Sequence, residues 1–183
     1  MEFIEVVRGR RAVRNFRPTR VAADLLREII EVAVWAPSAM NRQPWDFAVL
    51  DDPARIEEYA ASAKQYYLAH EEVINAVRVQ LEDPAHSIFH HAPALVLVLA
   101  KSDTEQARED CCLAAQTLML AARNSGLGSC WVGFGRPWLN LPGTRATLKL
   151  PQHCRVVAPI VVGYPVEWPP VHGRTPPAIH WLK

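Results

Sequence analysis

Leu113-Ala114-Ala115-Gln116-Thr117-Leu118-Met119-Leu120-Ala121-Ala122 is the middle of the stretch that decides the fold. The pattern predicts a helix over Thr104–Asn124. Leu113, Ala114, Thr117, Leu118, Leu120 and Ala121 make it apolar around most of its circumference, as in a helix buried at the centre of a domain. Gly126 supplies the stop. On one side of this helix lies Ala94-Leu95-Val96-Leu97-Val98-Leu99-Ala100, a continuous apolar run that predicts a strand covered on both faces. On the other side come two more candidate strands, Cys130–Val132 and Val156–Val162, separated by a possible short helix over Pro142–Leu150.

Towards the N-terminus the spacing predicts helices over Phe3–Gly9, with Phe3, Ile4, Val6 and Val7 turned inward, and over Ala22–Val34, from the recurrence of Leu25, Leu26, Ile29, Ile30 and Ala33. A strand follows over Asp46–Asp51, then a helix over Pro53–Gln65, with proline at its start. Helical spacing continues through Val73, Val77 and Leu81, and Asp83-Pro84 ends it. The order of elements lacks regular strand–helix–strand alternation, so the chain is expected to be an α+β sandwich rather than a doubly wound sheet. With 183 residues and no repeat or linker, residues 1–183 are expected to form one domain. The proline-rich tail Gly163–Lys183, with Trp168 and Trp181, needs a surface to lie on, such as a second subunit.

The net charge of +1 argues against general nucleic-acid binding, and no apolar run reaches the length of a membrane span. The N-terminal residues lack the apolar region of a secretory signal and include Glu2 and Glu5, so the chain reads as cytoplasmic. Cys111, Cys112, Cys130 and Cys154 form no Cys-x-x-Cys pair and read as reduced thiols in a core.

Positive charge is concentrated at one place. Arg8, Arg10, Arg11, Arg14, Arg17 and Arg20 face only Glu2 and Glu5 within the first twenty residues. If Arg10 and Arg14 share a helical turn, both guanidinium groups lie on one face. Paired arginine forks suit a phosphate; alone, the segment also reads as a solvated basic surface. A second cluster, Ala36-Pro37-Ser38-Ala39-Met40-Asn41-Arg42-Gln43-Pro44-Trp45, offers donors and acceptors from Ser38, Asn41 and Gln43 between two prolines. That mixture suits a planar heterocycle, and alone it also reads as an ordinary turn. His86 and His90, with His91 adjacent, have a spacing that puts two imidazoles on one helical face. Asp83-Pro84 and Pro93 bracket them and no partner motif accompanies them, so no metal site is expected; they read as a helix end or the border of a cleft.

Four motifs in order resemble the nitroreductase-like family of flavin mononucleotide (FMN) enzymes: Arg10-Arg11-Ala12-Val13-Arg14, Ala36–Trp45, Gly126-Leu127-Gly128-Ser129-Cys130-Trp131-Val132-Gly133, and Gly163-Tyr164-Pro165 after the last strand. The resemblance implies a three-layer sandwich with a mainly antiparallel central sheet, built as an intertwined homodimer with shared flavin sites. It implies phosphate binding by Arg10 and Arg174, assistance from Arg11 and Ala12, and Arg14 near the flavin N1–C2=O edge, where its charge stabilises the reduced ring. It further implies contacts from Pro37, Ser38, Ala39, Asn41 and Gln43 of the other subunit, and backbone contacts from Val132, Gly133 and Phe134 near N5. Ala12 stands where a serine is common, so one hydroxyl contact is missing. The implied activity is reduction of nitroaromatics, quinones or enones with NADH or NADPH, by ping-pong hydride transfer through flavin N5. Reductive dehalogenation, flavin fragmentation, and a non-catalytic FMN sensor or store are the alternatives on the same fold.

Overall fold

The computed structural model describes residues 1–70, 72 and 74–182. In chain order the elements are α1 (Phe3–Gly9), α2 (Ala23–Ala33), β1 (Trp45–Leu50), α3 (Pro53–His70), α4 (Asn75–Glu82), β2 (Ala94–Ala100), α5 (Glu105–Asn124), β3 (Gly128–Trp131), α6 (Arg136–Leu139), α7 (Pro142–Thr147) and β4 (Arg155–Gly163). The strands form one antiparallel sheet in the order β1-β2-β4-β3. Helices cover both faces, which makes the α+β sandwich expected from the sequence. Among the described residues no helix is long and apolar enough to cross a membrane.

The two faces can be read directly from β2. Its alternating side chains go to opposite sides of the sheet. Ala94, Val96, Val98 and Ala100 pack towards α2 and α5, while Leu95, Leu97 and Leu99 pack into a second core with Ile56 and Ala60 of α3, Phe89 and Leu139. Small residues on the first face meet small residues of α5, including Ala107, Cys111, Ala114, Ala115 and Ala122, so this helix lies close against the sheet. Thr104 caps α5 by accepting a hydrogen bond from the Ala107 amide at 3.2 Å. The helix ends in a paired cap: Gly126, at φ 76°, donates to Arg123 O, and Leu127 donates to Ala122 O at 2.8 Å. That turn sends the chain straight into β3.

Several expectations are corrected. On α1 only Val6 is buried; Phe3, Ile4 and Val7 are exposed, because a seven-residue helix at the rim has one narrow inner face. Leu113 of α5 is also exposed. α3 runs one turn beyond the expected end, to His70. The expected contribution of Val73 to a helical stripe lies outside the described residues. Arg10 is the non-helical residue that closes α1, so Arg10 and Arg14 do not share a helical turn. Instead residues 10–14 are extended and lie along β3: Ala12 bridges Ser129 in parallel, and the Val13 amide donates to Ser129 O at 3.1 Å. Val13 is fully buried, and a Cβ on Gly128 would stand 2.7 Å from its side chain. A side chain at Gly128 would push this segment off the sheet.

The tail after β4 has no regular structure, as expected. Its first residues bond to residues 15–17, with the Arg17 amide donating to Tyr164 O at 2.8 Å and the Val166 amide to Asn15 O at 3.1 Å, and further contacts follow. Arg123 stacks over the Trp168 ring at 3.7 Å, and Arg11 Nε donates to Pro170 O at 3.2 Å. Trp181 is exposed.

Candidate functional site

The extended arginine segment and the turn after β3 border one open cavity of about 450 Å³, within the range of small-ligand sites. Its lining comprises Arg14, Gln80, His86, His90, Cys130, Trp131, Val132, Gly133 and Phe134. Three local causes build it. The extended backbone of residues 10–14 carries Arg14 to the mouth while Val13 anchors it. A 3-10 turn over Gly133–Gly135, leading into α6, presents backbone at the rim. The segment between α4 and β2 folds back over the opening and brings the histidines. Neither the 3-10 turn nor α6 was expected from the sequence, because three or four residues are too few to produce a periodic signal.

His86 and His90 do not share a helical face. They lie in turns after α4, with His90 and His91 at φ 56° and 51°. Their rings still meet edge to face, 5.9 Å between centroids. Burial, and then the charge of Arg14, push the His90 imidazole down to about 4, so it is neutral at physiological pH. His86 is lowered as well, by burial and then by Lys64. The Cys130 thiol is raised because burial outweighs the opposing pull of Arg14 and Arg10; it is inert as a nucleophile.

Both Arg10 and Arg14 therefore act electrostatically on the base of this cavity, and among the described residues no carboxylate lies within 4.0 Å of either. Unopposed guanidinium groups beside a cavity fit an anionic ligand. Gly133 fits the other half of the requirement: a Cβ there would meet nothing within 4 Å, so the protein itself does not fill that space. Phe134 is half-buried and packs on Tyr67, with ring centroids 4.9 Å apart. Arg11 behaves differently. Its Nη1 donates to the carbonyls of Arg8 and Arg10 and its Nε to Pro170, so it ties the tail to the segment instead of facing the cavity. Arg174 is exposed, and among the described residues its side chain bonds to the carbonyls of His172 and Gly173.

The Ala36–Trp45 segment forms a second, separate surface. A 3-10 turn over Ala39–Asn41 interrupts it, and Met40, Asn41 and Gln43 all take positive φ. Three such residues within four are costly unless other contacts hold them. Ser38 Oγ accepts from the Gln43 amide at 2.9 Å, Gln43 Nε2 donates to Asn41 Oδ1 at 3.1 Å, and the buried Asp110 carboxylate accepts from the Ala39 amide at 3.2 Å. Pro37 and Asn41 remain exposed. This loop enters β1, at one edge of the sheet, while residues 10–14 flank β3 at the other. Three strand spacings, about 14 Å, separate those edges. Within one protomer the structure does not bring the two predicted clusters together.

Residues 7–164 match the model of the nitroreductase family. The chain belongs to this family. Among relatives of this nitroreductase-family chain, an NADH dehydrogenase of Thermus thermophilus is 32% identical over 177 residues, covering 86% of this chain and 84% of the relative. A 5,6-dimethylbenzimidazole synthase of Rhodospirillum rubrum is 31% identical over 180 residues, covering 88% and 81%. A solved nitroreductase with bound FMN from Bacteroides fragilis superposes with a TM-score of 0.84 over the whole of both chains, at 26% identity. The fold of this chain is thus that of the FMN-binding oxidoreductases of the nitroreductase family, as the four motifs implied.

Proposed function

We propose that the chain, as a single domain over residues 1–183, is an FMN-dependent oxidoreductase that uses NADH or NADPH to reduce small electrophilic acceptors such as nitroaromatics, quinones or enones. The observation that carries this reading is the cavity where Arg14, without a carboxylate partner, shares the lining with the unfilled space at Gly133, while the charge of Arg10 also reaches Cys130 of that lining. Bound FMN would supply the hydride chemistry, and the protein the binding, orientation and field.

Arg10 would hold the phosphate, with Arg174 joining it by movement of the tail that Arg11 tethers. Ala12 would contribute backbone only. Arg14 would place its fixed positive charge against the pyrimidine edge, where negative charge develops on reduction. Val132, Gly133 and Phe134 would present backbone to the central ring, and the absence of a side chain at Gly133 leaves room for it. Neutral His90 and His86 would close the outer side of the cavity without adding positive charge there.

Pro37, Ser38, Ala39, Asn41 and Gln43 would complete the site from a second copy of the chain. The separation of the two clusters on opposite sheet edges supports this, as does the apolar surface beside them. A groove of about 570 Å³ runs between α1, α2 and α5, lined by Phe3, Val32 and Leu120 among others, and Trp35, just past the end of α2, is 87% exposed. Apolar surface of this kind marks an interface.

The test is the visible spectrum of the purified protein before and after anaerobic NADPH or NADH, together with its sedimentation. A dimer carrying one flavin per chain that bleaches with either donor is the expected result. Protein that stays colourless after incubation with FMN, or a monomer holding stoichiometric flavin, would overturn the corresponding part of the proposal.

A further inference from the structure

At the end of the sheet away from the cavity's arginine segment, three side chains of different donor type converge. Asp46 lies near the start of β1, and His153 and Cys154 lie in the turn that leads into β4. One donor atom from each falls within 4.8 Å of the other two. We propose that Asp46, His153 and Cys154 form a binding site for a thiophilic divalent cation such as Zn²⁺, which clips the start of β1 to the entry of β4.

The geometry of the pair that is already in contact suits this. Cys154 Sγ and Asp46 Oδ2 are 3.6 Å apart, with the thiol donating. A tetrahedral Zn²⁺ with bonds of about 2.3 Å to sulfur and about 2.1 Å to oxygen sets its ligands about 3.6 Å apart. The cation would take the place of the shared proton: the metal–sulfur bond forms as the S–H bond breaks, and the proton leaves to solvent. His153 is exposed, so its ring is free to swing the remaining distance, and water fills the fourth position.

The surroundings hold these ligands in place. The other carboxylate oxygen, Asp46 Oδ1, pairs with Lys101 Nζ at 3.4 Å, which leaves Oδ2 directed at the thiol. Partners of this kind orient a ligating carboxylate in metal sites. Arg145 of α7 donates to Gln152 O at 2.9 Å and to Cys154 O at 2.7 Å, and the Cys154 amide donates to Pro151 O at 3.0 Å. The turn is therefore fixed by its backbone, independently of any ion. The thiolate, imidazole and carboxylate set favours zinc-like ions over magnesium or calcium, which prefer all-oxygen sites.

Co²⁺ serves as the probe, because its tetrahedral thiolate complexes absorb in the red, beyond the flavin bands. The FMN-loaded protein, with any metal first removed by chelator, is titrated with Co²⁺ and then Zn²⁺. The expected result is one Co²⁺ per chain with red absorption, displacement by equimolar Zn²⁺, and a higher Tm with Zn²⁺. Cys154→Ser should abolish the red bands, and His153→Ala, on an exposed residue, should weaken binding at least tenfold. No stoichiometric binding, or binding that is unchanged in both variants, would overturn the proposal.

Discussion

Protonation of His90 offers the sharpest quantitative check on the cavity. The imidazole is depressed to about 4 in the folded protein, chiefly by burial and then by Arg14, against an unfolded value near 6.5. Between these two values the unfolded chain holds the extra proton, so stability must fall as pH drops from 6.5 towards 4 and level off below. Linkage over that interval makes the loss between pH 7 and pH 5 about 2 kcal/mol, and solvent reaching the cavity face of the ring trims it to about 1–2 kcal/mol. His90→Asn removes the titration and keeps a residue that tolerates the left-handed backbone at φ 56°. Urea unfolding of flavin-free wild type and variant, at one protein concentration and at both pH values, isolates the effect; His86 and the carboxylates titrate in both proteins and cancel. Wild type should lose an extra 0.5–1 M of midpoint, by a urea slope of about 2 kcal/mol per molar. Parallel losses in the two proteins would refute the placement of a half-buried, neutral His90 beside Arg14.

Arg14→Ala should lower the reduction potential of bound flavin and weaken FMN binding about ten- to a hundredfold, the size of one lost charged contact; spectroelectrochemistry and equilibrium dialysis read both, and an unchanged potential would mean that Arg14 does not face the ring. Gly133→Ala should leave the thermal midpoint of the flavin-free protein unchanged, since a Cβ there meets nothing within 4 Å, yet reduce flavin retention at least tenfold by entering the ring's space. Asp110→Ala removes the buried acceptor of the Ala39 amide and should cost about 1–3 kcal/mol in chemical denaturation, while the loosened Ser38–Gln43 loop lowers flavin retention at low protein concentration, where a shared site is most easily lost.

The periodic elements were legible because their signals are local. Ala94–Ala100 alternates small and large side chains, and α5 carries apolar residues on nearly every side, so burial on both sides could be read without a structure. The motifs pointed to the proposed cofactor segments for a related reason: backbone contact, tight turns and charge each demand particular residue types at set spacing. The short elements at Ala39–Asn41, Gly133–Gly135 and Arg136–Leu139 escaped, because no periodicity develops over three or four residues.

What the tertiary structure alone decided is how distant segments meet. Arg10 and Arg14 would share one face only on a helical turn; the bridge of Ala12 to Ser129 and the Val13 amide bond to Ser129 O lay that segment along the sheet edge instead, since β3 offers unpaired backbone groups that must be satisfied. His86 and His90 reach the Arg14 cavity only because the chain between α4 and β2 folds back over it. Asp46 meets Cys154 across 108 residues, a contact set by strand register, which no local pattern encodes. The amino-acid sequence by itself thus determined the longer elements and the family, and pointed to the proposed cofactor class, all through near-neighbour chemistry. The sheet order, through long-range hydrogen bonding and burial, decided which of those residues share a cavity.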